Sequence, residues 1–103
     1  MPLTADLLAN GQLPSSKGTL FTAAGPTVVQ LIVLVNTDAS ARTVNLYVKR
    51  ATSRRITPVN LSLDVGAMYD REGPITLDTG DLIEGDASAA TVVDYTIHGA
   101  TTS

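Results

Sequence analysis

The stretch that decides the fold is residues 28–49, VVQLIVLVNTDASARTVNLYVK. Its second half alternates cleanly. Val44, Leu46 and Val48 point one way, and Thr43, Asn45, Tyr47 and Lys49 the other, the pattern of a strand with one face buried. The first half does not alternate. On a regular strand Val29, Leu31, Val33 and Val35 would fill one face, while Val28, Ile32 and Leu34 would nearly fill the other. A strand apolar on both faces needs a cover on each side. A neighbouring subunit or the chain's own N-terminal segment is the expected cover for Val28, Ile32 and Leu34, and the alternative is a central strand covered by an intrachain segment.

On either side of this stretch, short strand-like runs are split by turn residues. GTLFTAA precedes Gly25-Pro26, TDASA separates the two halves of the opening stretch, and ATSR follows it. Val59, Leu61, Leu63 and Val65 alternate with polar residues, and Pro58 restricts that segment to an edge. REGP and DTGD mark further turns. In the last strand Val93, Tyr95 and Ile97 face inward, and Val92, Asp94, Thr96 and His98 outward. About seven or eight short strands at a spacing of roughly ten residues, with no long helical pattern, indicate an all-β antiparallel sandwich or jelly roll.

Residues 1–17 read as an extended arm. Leu3, Leu7 and Leu8 would anchor one helical turn that Gly11 and Pro14 end. The expected organisation is therefore an arm (1–17), a sandwich (18–99) and a polar tail (100–103).

With 103 residues the chain fits one domain. Apolar residues at 44% argue against disorder, and charged residues at 17% are few enough that part of the surface is suited to contact rather than to water. There is no cysteine, which excludes disulfides and thiolate metal sites. MPLTADLLANGQLP lacks the basic start and long apolar core of a signal peptide, and no apolar run approaches the ~20 residues of a membrane span. A soluble chain made in the cytosol is expected, with no membrane partner.

The net charge of −3 is unevenly spread. Arg42, Lys49, Arg50, Arg54 and Arg55 are five of the seven basic residues, whereas eight of the ten acids lie between positions 64 and 94. The basic loop Lys49, Arg50, Arg54 and Arg55 is expected to face an acidic protein partner. Nucleic acid is a weaker fit, because the domain is acidic and Tyr47 alone makes no stacking platform.

Asp78-Thr79-Gly80 has the letters of the retroviral aspartic proteases, but only 23 residues follow it and the hydrophobic-hydrophobic-Gly-Arg pattern is missing. A glycine turn with solvated acids accounts for it. Asp78, Asp81, Glu84 and Asp86 offer carboxylates for calcium, at a spacing that fits no known loop. His98 stands alone, which is too little for zinc, and there is no Gly-x-Ser-x-Gly or phosphate-binding glycine loop. The expectation is a non-enzyme without cofactor or metal.

GQLPSSKGTLFT, LVNTDASARTVNLYVKR, RRITPVNLSLDVGAM and GPITLDTGDLIEGDASAATVVDYTIHG together resemble small virion proteins of tailed bacteriophages. The resemblance runs from Gly11 to Gly99 and rests on strand-and-turn patterns. It implies a β-sandwich virion component that self-associates, trimers being common among such proteins, and that touches the major capsid protein or another virion protein. A capsid decoration or cement protein is the leading expectation. A tail, collar or baseplate component and a host-glycan-binding module are the alternatives.

Overall fold

A computed structural model describes the backbone of residues 3–102; the side chains of residues 3–6, 73 and 102 lie outside the described set. The described residues form nine strands and no helix. They are β1 (Leu3–Gln12), β2 (Gly18–Thr22), β3 (Thr27–Asn36), β4 (Arg42–Lys49), β5 (Ser53–Arg55), β6 (Leu61–Leu63), β7 (Met68–Leu77), β8 (Leu82–Ala87) and β9 (Val93–Thr102).

Two antiparallel sheets face each other, one in the order β1-β9-β3-β7 and the other β2-β8-β4-β5, with β6 also on β4. We call them sheets A and B. Successive strands mostly alternate between the sheets, so the chain wraps the core like a jelly roll. The all-β sandwich expected from the alternation is what the chain adopts.

Between the sheets lie Val29, Ile32, Leu34 and Ile97 from sheet A and Val44, Leu46 and Ile83 from sheet B, all without exposed surface. Each such aliphatic side chain contributes about 1.5–3 kcal/mol on leaving water. The Tyr95 hydroxyl donates to the Leu20 carbonyl at 3.4 Å and so ties β9 to β2.

Two expected segments differ. The arm is a strand: Leu3–Gln12 pairs along β9 as the edge of sheet A, with a bulge between Leu7 and Ala9. Its alternation was hidden by that bulge and by the small residues around it. The tail also belongs to the sheet, since β9 runs to Thr102 and Ala100 is buried.

Turns differ too. β7 passes through Arg71–Pro74 without breaking, although its register with β3 shifts there. Conversely, β6 keeps only three residues. Asn60, at φ 50°, opens it, and the turn at Gly66, φ 73°, follows it, leaving Val59 and Val65 exposed rather than inward. Between β5 and β6 the Thr57 hydroxyl accepts the Leu46 amide at 3.1 Å, and the Ile56 amide donates to the Leu46 carbonyl at 2.9 Å. Pro58, which has no N–H to give, sits beside this gap on the edge of sheet B, as its chemistry requires.

Candidate functional site

The outer face of sheet A follows from strand register, because residues directly opposite each other share a face. Leu31 lies between Glu72 on β7 and His98 on β9, with Leu7 of β1 beyond. Val33 lies between Asp70 and Thr96, and Val35 between Met68 and Asp94. Leu31, Val33 and Val35 are half-buried and take no part in the core cluster. They form an aliphatic column along the middle of the sheet. Met68 is 60% exposed and Leu7 46%, which widens the apolar surface. Asp70, Glu72 and Asp94 flank it, and among the described residues none of these carboxylates has an ion pair. The Gln12 side chain donates to Asp94 at 3.2 Å.

The expected interface set is split by this arrangement. Val28 does face outward, paired with Thr76 and Ala100. Ile32 and Leu34 do not: both are fully buried in the chain's own core. The cause is a bulge at Gln30 that reverses the strand's phase, so Val28, Leu31, Val33 and Val35 share the outer face. Of the arm residues, Leu7 lies on that outer face, Leu8 packs against the core, and the Leu3 side chain lies outside the described residues.

Sheet B carries a polar network on its outer face. The Asn45 amide donates to Asp86 at 2.8 Å and to Asn60 at 3.1 Å. Its oxygen accepts from the Asn60 amide at 2.8 Å and from the Arg55 guanidinium. The Tyr47 hydroxyl donates to the second Asp86 oxygen at 3.1 Å, and the Ser53 hydroxyl donates to Glu84 at 2.7 Å. Lys17 stands 4.1 Å over the Tyr47 ring and Arg55 5.0 Å from its centroid. Burial, and then the hydrogen bond to Asp86, pushes the Tyr47 phenol above its ordinary value.

Alternation on β4 predicted that Asn45 and Tyr47 point outward. It carried no sign that a layer of side chains would cover them until both were buried.

The basic residues sit on the β4–β5 hairpin, but they are not equivalent. Arg50 reaches across to sheet A, donating to the Thr76 carbonyl and standing 3.6 Å from Asp81. Arg55 belongs to the Asn45 network. Lys49 and Arg54 are exposed and, among the described residues, have no ion pair. Arg42 is held elsewhere, 2.5 Å from Asp38. Hydrogen bonds from Arg42 and from the Ala39 amide keep the Asp38 carboxyl below the usual carboxylate range.

The four acids considered for calcium are dispersed. Asp78 and Asp81 shape the β7–β8 turn, where Asp81 accepts the Asp78 amide at 2.9 Å, whereas Glu84 and Asp86 are spent in the network on β8. Among the described residues no three His, Cys, Asp or Glu side chains gather at one point. A depression of about 310 Å3 at one end of the sandwich is lined by Phe21, Thr22, Ala24, Gly25, Pro26, Thr27 and Thr101, none of them an acid, a base or a strong nucleophile. All four aromatic rings are at least partly buried, and Tyr47, which faces outward, is covered by Lys17 and Arg55.

The fold has counterparts among solved structures. It is similar to a chain in the structure of the infectious bursal disease virus Gx strain, with a TM-score of 0.53 and 10% identity over 94% of this chain and 32% of that one. A chain in the structure of the Gt strain of the same virus overlaps with a TM-score of 0.49 and 14% identity, over 96% and 32% respectively. This chain spans about a third of the length of those chains. At such identity the likeness is one of fold. No protein-family model matches the chain, and no curated protein matches it.

Proposed function

We propose that this chain is a structural protein of a tailed-phage virion, a decoration or cement protein of the head shell whose contact surface is the outer face of sheet A. The observation that carries it is the column Leu31, Val33 and Val35 with exposed Met68 and Leu7 beside it, an apolar surface that no described element of the chain covers. Contiguous apolar surface of this kind marks association in soluble domains. Two things support the virion setting: the strand-and-turn resemblance from Gly11 to Gly99, and the likeness in fold to a chain of a virus structure.

The role requires adhesion and no bond-making step, so the proposal assigns the chain no catalytic residue. A cement protein acts by linkage: it binds the closed shell, and opening the shell must also break its contacts. The experiment is to add purified protein to undecorated shells and heat them. Binding with a raised opening temperature is expected. Shells that neither bind the protein nor gain stability would remove the cement role.

A further inference from the structure

The outer face of sheet A needs an occupant. We propose that it is a second copy of this chain, presenting the β5–β6 edge of its sheet B, with the β4–β5 hairpin, so that copies associate head to tail. This rests on the proposed role for the sheet A face and names its partner.

Charge decides between the possible self-contacts. The sheet A face sets Asp70, Glu72 and Asp94 around its aliphatic column; His98 lies on the same face, and Arg71, opposite Ile32, donates to the Glu72 carbonyl at the β7 edge. Two such faces brought together about a two-fold axis would set acid against acid, and like charges facing across an interface are costly. The opposite edge of the same molecule has the complementary make-up. Lys49, on the outer face of sheet B, and Arg54, opposite Val48 on the core-facing side, are both exposed there without an ion pair among the described residues, and Val59 in the β5–β6 connection is 69% exposed. Seating that edge on the sheet A face covers Val59 and the aliphatic column together while placing Lys49 and Arg54 against the acidic rim. The contact is heterologous: each copy offers its edge to one neighbour and its face to another. Such contacts close into a ring or run on as a filament.

Two charge reversals test this by sedimentation velocity. Arg54→Glu disables the edge and Asp70→Lys disables the face. Wild-type protein is expected to assemble with rising concentration and to dissociate as ionic strength is raised from ~0.05 to ~0.5 M. Each variant alone is expected to stay monomeric. A mixture of the two is expected to recover assembly, because the intact face of Arg54→Glu meets the intact edge of Asp70→Lys and the two reversed surfaces are again of opposite charge. Val59→Asp and Met68→Lys repeat the scheme through the apolar contacts, so a folding failure in one variant does not decide the matter; thermal unfolding checks each.

A wild type that remains monomeric at low salt, or an Arg54→Glu variant that assembles like wild type, overturns the head-to-tail contact. A monomer that still binds shells defeats this inference and leaves the virion role standing. Head-to-tail assembly without shell binding does the reverse.

Discussion

Val29 and Ile32 stand three residues apart on β3, and both point into the core with no exposed surface. On an uninterrupted strand residues at that spacing face opposite ways. Gln30 makes the difference: it is an extra residue in the pairing with β9, where Val29 meets Gly99 and Leu31 meets His98. Upstream of it the odd positions Thr27 and Val29 are buried, and downstream the even positions Ile32, Leu34 and Asn36. One bulge thus gives the strand its core side and leaves a second apolar side outward.

Truncation on either side of the bulge should therefore cost very different amounts. Ile32→Ala is expected to lose about 2–5 kcal/mol through the cavity it leaves. Val33→Ala, on the outer face, should lose less than about 1 kcal/mol. Urea unfolding midpoints at unchanged slope give both values. Equal losses would mean that β3 has no phase reversal.

Asn36 is the polar member of the same buried row, and its side chain closes the β3–β4 turn. Its amide donates to the carbonyls of Ser40 and Leu63 at 3.0 Å and of Asp64 at 3.2 Å, while its oxygen accepts the Asp38 amide at 2.9 Å. Asn36→Ala should cost about 1–3 kcal/mol by leaving buried carbonyls without a donor. Asn36→Asp should be worse at neutral pH, where a carboxylate would face those carbonyls, and milder in acid, where a protonated carboxyl can donate. Chemical denaturation of the two variants at two pH values measures this, and an Asn36→Asp protein as stable as wild type would count against the pinning role.

The fold was largely legible because alternation survives wherever a strand is regular. On β4 and β9 the inward residues Val44, Leu46, Val93, Tyr95 and Ile97 are those that spacing predicts. Legibility failed at the irregular places. The bulge at Gln30 moved Ile32 and Leu34 from the expected interface into the core, and the bulge near Leu8 disguised an edge strand as an arm. A bulge adds one residue without a compositional mark, so period-2 counting reads straight through it. The candidate face was half legible: an apolar surplus on β3 was visible, but Asp70, Glu72 and Met68 join it only through pairing with a strand more than thirty residues away.

At Gly99 the backbone of β9 lies close against β3. A Cβ there would collide with the Val28 carbonyl oxygen and sit 2.9 Å from a Leu8 methyl and 3.0 Å from the Val29 Cα. Two of those atoms are backbone in the middle of a sheet and have little room to yield. Gly99→Ala is expected to cost at least the ~1–3 kcal/mol typical of overpacking. Gly25→Ala, with nothing within 4 Å of the added carbon, serves as the control and should be near neutral. Comparable melting temperatures for the two variants would show that β9 and β3 are not in such close register.

Tyr47 links the network on sheet B to alkaline stability. Burial and the hydrogen bond to Asp86 raise its phenol above the ordinary value of about 10, and burial raises that of Tyr95. A raised phenol favours the neutral form in the folded chain. Its contribution is complete below the unfolded value, near 10, and is lost as pH climbs from there through the folded value, because the unfolded chain releases its proton first. Unfolding free energy should thus show no loss from these two groups up to about pH 10 and then fall, while phenolate absorbance lags behind that of the denatured protein. Tyr47→Phe removes one of the two groups and should make the decline above about pH 10 shallower. It should also weaken the protein at neutral pH, since Asp86 loses a donor. A wild-type profile that stays level through this range, or a Tyr47→Phe profile as steep as wild type, would contradict the placement of Tyr47 beneath Lys17 and Arg55.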